Sequence, residues 1–139
     1  MFTSSKNISC RDFSEFQELI TTVPKKDASH GLGITVVTQE LLDKGETRYI
    51  VANEIPSVDD IPEGMIVETI PAQKYAVFTH IGSLINIGET IQYINGDWLV
   101  NNTRYQRVPL APEFEYYDQR FSLTSAESEL DLYIPIKEK

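Results

Sequence analysis

Residues 72–100 read AQKYAVFTHIGSLINIGETIQYINGDWLV, and the order of elements within them decides the fold class. The first part is an apolar and β-branched run closed by Pro71 on one side and Gly82 on the other, which predicts a strand. The second part places Leu84, Ile87, Ile91, Ile94 and Trp98 at spacings of three and four, the apolar stripe of an amphipathic helix. Gly88 and the Asn95-Gly96 pair weaken that helix without cancelling the pattern. A strand therefore passes directly into a helix.

Strand-like runs flank this pair on both sides. Downstream, polar NNTRYQRVPLAP (101–112) leads into EFEYYDQRF (113–121), and the loop LTSAESE (123–129) joins that to alternating LDLYIPIK (130–137). Upstream, GITVVTQELL (33–42) predicts a strand, Lys44-Gly45 a turn, and TRYIVANEI (47–55) the returning strand of a hairpin. PSVDDIPEGM (56–65) is a polar, Pro-rich connection. Before the hairpin, Phe13, Phe16, Leu19, Ile20 and Val23 recur at helical spacing, with Asp12 as N-cap, Glu15 three residues on, and Pro24 at the end. Helix, strand, strand thus occurs twice. The spacing predicts an α+β domain of two similar layers with a cleft where they meet, although the halves share little sequence.

Composition bounds the function. A chain of 139 residues with 41% hydrophobic and 24% charged residues is sized for one core-forming domain. The single cysteine, Cys10, excludes an internal disulfide framework and points to a reducing, cytoplasmic setting. No apolar run approaches the ~18 residues that cross a bilayer. The net charge of −9, from 21 acidic and 12 basic residues, repels phosphate backbones, so no direct nucleic-acid binding is expected. His30 and His80 lack ligand-spaced neighbours, and there is no Gly-rich phosphate loop or GxSxG. No metal site or cofactor is expected.

Four ordered blocks carry a family resemblance: GMIVETIPAQKYAVFTHIG, GETIQYINGDWL, APEFEYYDQRF and SELDLYIPIK. Together they resemble the gyrase-inhibitor-like (GyrI-like) effector-binding domains, which also form the ligand-binding half of AraC-type and MerR-type multidrug-responsive regulators. The likeness is strong from Gly64 to Lys137 and looser over residues 33 to 56, mainly through RYIVANEI. It implies one domain over residues 1–139, built of tandem strand–helix–strand–strand repeats related by a pseudo-two-fold axis. The first repeat is expected over about 1–57 and the second over about 64–139, with the ligand cleft between them. FTSSKNISC lacks the bulky apolar pattern of a first strand, so that strand is expected to be a poor edge strand or missing.

The resemblance also implies a functional carboxylate at the second Glu of EFEYY, Glu115, lying among aromatic rings and attracting lipophilic, often planar, cations. On a strand, Glu113, Glu115 and Tyr117 face one way, and Phe114, Tyr116 and Asp118 the other. A carboxylate taken out of water needs a cation or donors to compensate it, and ring faces add ~0.5–2 kcal/mol of cation–π attraction. The competing arrangement pairs Glu115 with Arg48, Arg104, Arg107 or Arg120 on a solvated face. Tyr49, Tyr75, Trp98, Tyr105, Tyr117 and Tyr133 are the candidate cleft walls, with Tyr49 and Trp98 expected to face each other across it.

Three functions fit these residues. The first is a small-molecule sensor or sink for lipophilic cations, linked to transcription regulation or drug resistance. The second is a hydrolase of electrophilic small molecules that uses Glu115 assisted by Tyr49. The third is a protein-interaction role, toward a regulator or toward gyrase, through the acidic surface. The first is the expected one.

Overall fold

The β-branched and aromatic runs form one antiparallel sheet, eight-stranded among the described residues. The computed structural model describes residues 2–7, 31–54, 66–69 and 74–139. Strands β1 (Phe2–Asn7), β2 (Gly31–Val36), β3 (Arg48–Glu54) and β4 (Ile66–Thr69) precede β5 (Tyr75–Ile81), and β6 (Tyr105–Arg107), β7 (Glu113–Tyr117) and β8 (Glu129–Glu138) follow. The spatial order is β4-β1-β3-β2-β7-β8-β5, with β6 paired to the C-terminal part of β8.

The tandem architecture is visible in that order. The first repeat contributes β1-β3-β2 and the second β7-β8-β5, a reversed copy of the same arrangement. The two halves join along β2 and β7, where Gly33 lies opposite Glu115 at the centre of the shared register. The strand left open at the N-terminus is present and lies inside the sheet, between β3 and β4, rather than at an edge. Its main-chain ladder to two neighbours replaces the missing apolar pattern. The helix expected over residues 11–23 lies outside the described residues.

Local chemistry moves three boundaries. The run GITVVTQELL is not one strand: β2 ends at Val36, and Thr38 caps a one-turn helix, α1 (Gln39–Asp43), by accepting from the Leu41 amide at 3.2 Å. Gly45, at φ 70°, then closes the turn, and its amide donates to the Leu42 carbonyl at 2.9 Å. The second helical segment starts with a 3₁₀ turn (Leu84–Asn86), continues as α2 (Ile87–Tyr93), widens into a π turn at Ile94–Trp98, and ends as α3 (Leu99–Asn101). The π turn coincides with Asn95-Gly96, the weak point of the helical pattern. Finally, YQR of the polar connection pairs with β8 as β6, and IVET forms β4. Neither strand announces itself by alternation.

Strand pairing assigns the core to two faces. Leu32, Ile34, Ile50, Ala52 and Phe114 form one buried cluster, with Tyr75, Tyr116 and Tyr133 packed against it. Leu130, Leu132, Ile134 and Ile136 form the other, covered by Ile94 of the π turn. Glu115 is registered with Leu132, so it belongs to this second, helix-covered face. His80 is buried there; its Nε2–H donates to the Ser83 carbonyl at 2.9 Å and its Nδ1 shares a hydrogen bond with the Thr90 hydroxyl at 2.6 Å. It ties β5 to α2, the structural role its position at a strand end implies.

Candidate functional site

The site begins with the alternation of EFEYY. Phe114 turns into the core at 4% exposure, while Glu113, Glu115 and Tyr117 turn to the helix-covered face. One carboxylate oxygen of Glu115, Oε2, accepts two tyrosine hydroxyls, from Tyr117 at 2.6 Å and from Tyr49 at 2.7 Å. Both lie within the ordinary O–H···O range. Tyr117 reaches back from two residues along the same strand. Tyr49 comes from β3 and crosses over β2 to arrive.

Its passage depends on Gly33. A Cβ at that position would stand 2.0 Å from the Tyr49 hydroxyl oxygen and 2.8 Å from Glu115 Oε2. The missing side chain is what lets the hydroxyl cross the strand.

Beside this cluster opens a cleft of about 110 Å³, lined by Glu115, Leu132 and Ile134 from the sheet and by Ile91, Ile94 and Asn95 from the helical segment. Tyr133, Phe114, Thr35, Glu113 and Arg107 complete the lining. Arg107 forms an ion pair with Glu113 and donates to the Asn95 side chain, so it links β6, β7 and the π turn. Burial lowers the Arg107 pKa from its ordinary value. The Arg107–Glu113 pair is internally neutral, which leaves the carboxylate of Glu115 to set the sign of the charge in the cleft.

Three of the four arginines considered as partners for Glu115 are paired elsewhere. Arg104 pairs with Glu138, Arg107 with Glu113, and Arg120 with Asp118 and Asp131. Among the described residues Glu115 makes no ion pair with a lysine or arginine; its partners are the two hydroxyls.

Of the six aromatic candidates, Tyr49 and Tyr117 contact the carboxylate. Tyr133 borders the cleft, but its ring stacks on Phe114 at 4.5 Å on the opposite face of the sheet. Trp98 is not among the residues lining the cleft. It packs edge-on against Phe78, ring centroids 5.0 Å apart, within the core beneath the helix. Tyr75 lies on the opposite face, edge-on to Phe114 at 5.2 Å and to Tyr133 at 5.9 Å. Tyr105 sits on β6 with Lys74 and Arg104 over its ring, at 5.3 and 5.0 Å. Helical spacing located Trp98 but not its direction. Sequence reading gave no site role to Gly33 or Asn95, put Glu113 on the face of Glu115 without a role, and weighed Arg107 only as a partner for Glu115. Only Gly33 left a trace, as a glycine inside a β-branched strand, which marks close approach.

Comparison with known proteins agrees with this architecture. Over residues 6–136 the chain matches the integron-associated effector binding protein family, and it belongs to that family. This is consistent with the GyrI-like resemblance. It is 42% identical over 93 residues, 66% of its length, to the transcriptional regulator BrlR of Pseudomonas aeruginosa. The matched segment is 34% of BrlR, so this chain spans about a third of that relative. Among solved structures, SAV2435 bound to tetraphenylphosphonium aligns with a TM-score of 0.71 at 18% identity, covering 99% of this chain and 86% of the other. A Staphylococcus aureus MU50 protein described as a bacterial transcription regulation protein aligns with a TM-score of 0.65 at 18% identity, covering 99% and 92%. These two likenesses show the shared fold. Among the described residues no helix is long and apolar enough to cross a membrane, and no cluster of His, Cys, Asp or Glu has metal-binding geometry.

Proposed function

We propose that this effector-binding chain takes up a lipophilic organic cation at Glu115 and acts as the sensing or sequestering part of a regulatory response. One observation carries the reading. Glu115 presents a carboxylate to a cleft that Ile91, Ile94, Leu132 and Ile134 also line, held by two tyrosine hydroxyls and paired with no lysine or arginine among the described residues. Hydroxyl donors orient the charge without cancelling it, so a ligand cation supplies the missing neutralisation. The tetraphenylphosphonium bound by SAV2435 and the regulatory role in the name of BrlR support the same class of ligand and setting.

Size narrows the ligand. Pockets that enclose drug-sized molecules measure roughly 300–1,000 Å³. The cleft here is about 110 Å³. A one-ring or quaternary ammonium head fits it as it stands. A multi-ring cation binds by displacing the helical segment that carries Ile91, Ile94 and Asn95.

The test is isothermal titration of tetraphenylphosphonium and of neutral triphenylphosphine oxide into the parent protein and Glu115→Gln. The parent should favour the cation, and the variant should lose about tenfold or more of that affinity, the scale of one charged contact. Equal cation affinity in parent and variant would sink the proposal.

The 2.7 Å contact between Tyr49 and Glu115 favours a second reading, hydrolysis of an electrophilic small molecule with Glu115 activating water and Tyr49 assisting. Turnover of an epoxide and activated-ester panel, abolished in Glu115→Ala, would establish it; silence across the panel leaves binding alone.

A further inference from the structure

The pseudo-two-fold axis makes Gly33 and Glu115 counterparts: each sits at the centre of its strand, and they oppose one another in the β2–β7 register. One of the two positions carries the charge and the other carries no side chain. The asymmetry has a steric cause, because the Tyr49 hydroxyl occupies the space where a Gly33 Cβ would project. The hydroxyl oxygen and ring carbon Cζ would lie 2.0 and 2.8 Å from that Cβ, and Glu115 Oε2 at 2.8 Å. Real Cβ contacts are essentially never below 3.0 Å.

Glycine is a poor choice for the interior of a buried strand on local grounds. It loses the most backbone entropy on folding and packs nothing against its neighbours. Gly33 is itself buried and paired on both sides, to Val51 and to Glu115. The backbone there is ordinary extended strand, so no unusual φ calls for glycine. What calls for it is the crossing of Tyr49.

We propose that Gly33 is a positioning residue: by holding open the path of the Tyr49 hydroxyl to Glu115, it sets how the carboxylate is oriented toward a cationic ligand. The inference rests on the binding role proposed for Glu115. With Ala at position 33, the Tyr49 ring must tilt away. Glu115 then keeps only its Tyr117 donor, and the freed carboxylate can rotate out of the cleft.

The experiment compares the parent, Gly33→Ala, Tyr49→Phe, the Gly33→Ala/Tyr49→Phe double variant and Glu115→Gln. Two readouts are taken: tetraphenylphosphonium affinity by calorimetry, and ¹³C-tyrosine NMR of the ligand-free proteins. The Tyr49 ring signal is assigned by its loss in Tyr49→Phe. It should move in Gly33→Ala, which breaks the hydroxyl contact, and in Glu115→Gln, which replaces its anionic acceptor by a neutral amide oxygen. Gly33→Ala and Tyr49→Phe should each weaken binding several-fold, and the double variant no more than the weaker single one. Should Gly33→Ala fail to fold, recovery of folding in the double variant supports the steric claim, since the hydroxyl at 2.0 Å is then gone. Failure of both to fold would mean that the Tyr49 hydroxyl is not what keeps a side chain out of position 33, and would overturn the inference. So would an unmoved Tyr49 signal in Gly33→Ala, or multiplicative losses in the double variant. If Glu115→Gln alone leaves binding intact, it is the cation-binding reading that fails, and the NMR arm still decides the positioning of Tyr49.

Discussion

Glu115 shows how much one side chain owes to its neighbours on adjacent strands. The alternation of EFEYY already separates its face from that of Phe114, but alternation cannot say whether that face is wet. Its hydroxyl partners come from two residues along β7 and from β3 across the sheet, and only the second requires folding. Tyr75 offers the contrast: its hydroxyl is buried and has no hydrogen-bond partner among the described residues. Tyr75→Phe removes a polar group that gains nothing from burial, so its urea midpoint should be unchanged or raised, by up to about 1 kcal/mol in stability. Burial also raises the Tyr75 pKa above its ordinary value of 10.0, and Tyr133 shifts the same way through burial and then the nearby Asp131 charge. A raised folded-state pKa means that the folded protein holds its protons to higher pH than the unfolded chain does. The stability is therefore fully present below about pH 10 and is lost as pH rises above it. Urea unfolding at pH 9 and at pH 11 should show that decline, and Tyr75→Phe should make it shallower. A parent midpoint that is flat across this range would contradict the burial of these phenols.

At the scale of elements, the departures from pattern have local causes. GITVVTQELL carries β-branched residues past Val36, yet the chain leaves the sheet because Thr38 offers a side-chain acceptor to the Leu41 amide. Removing that cap in Thr38→Ala should cost about 1 kcal/mol, measured by thermal or urea unfolding. A loss below a few tenths would mean that the α1 turn is held by the hairpin rather than by its cap. Apolar spacing identified the helix of the second repeat, and Asn95-Gly96 marked where it would weaken. That the weakness becomes a π turn, directing Asn95 to Arg107 and Ile94 to the sheet, depends on what the helix packs against. The same limit explains Trp98. Its position on the helix was legible, whereas its partner, Phe78, belongs to a strand twenty residues earlier in the chain. Strands β4 and β6 were illegible because short, paired strands lean on neighbours for stability and need no alternation of their own.

For the molecule as a whole, the net charge of −9 surrounds a cleft whose one uncompensated group is also negative. Such a field attracts small cations over distances set by the ionic strength. The association rate of tetraphenylphosphonium, followed by stopped-flow tyrosine and tryptophan fluorescence, should fall as sodium chloride is raised, while dissociation changes less. A salt-independent association rate would assign the binding energy to apolar contact alone.

The tandem fold itself was determined by the sequence, because strand and helix periodicities are local properties that each repeat writes out in order. The choice of Glu115 over Glu113 as the candidate carboxylate of that strand came with the resemblance of four ordered blocks. Which residues surround it was decided only by the tertiary structure. Antiparallel pairing brings β3, β2 and β7 side by side, so Tyr49, Gly33 and Glu115, far apart along the chain, meet within one hydrogen-bond length. No periodicity encodes that meeting. It is fixed by register, and a glycine with nothing to offer but space becomes intelligible once the register is known.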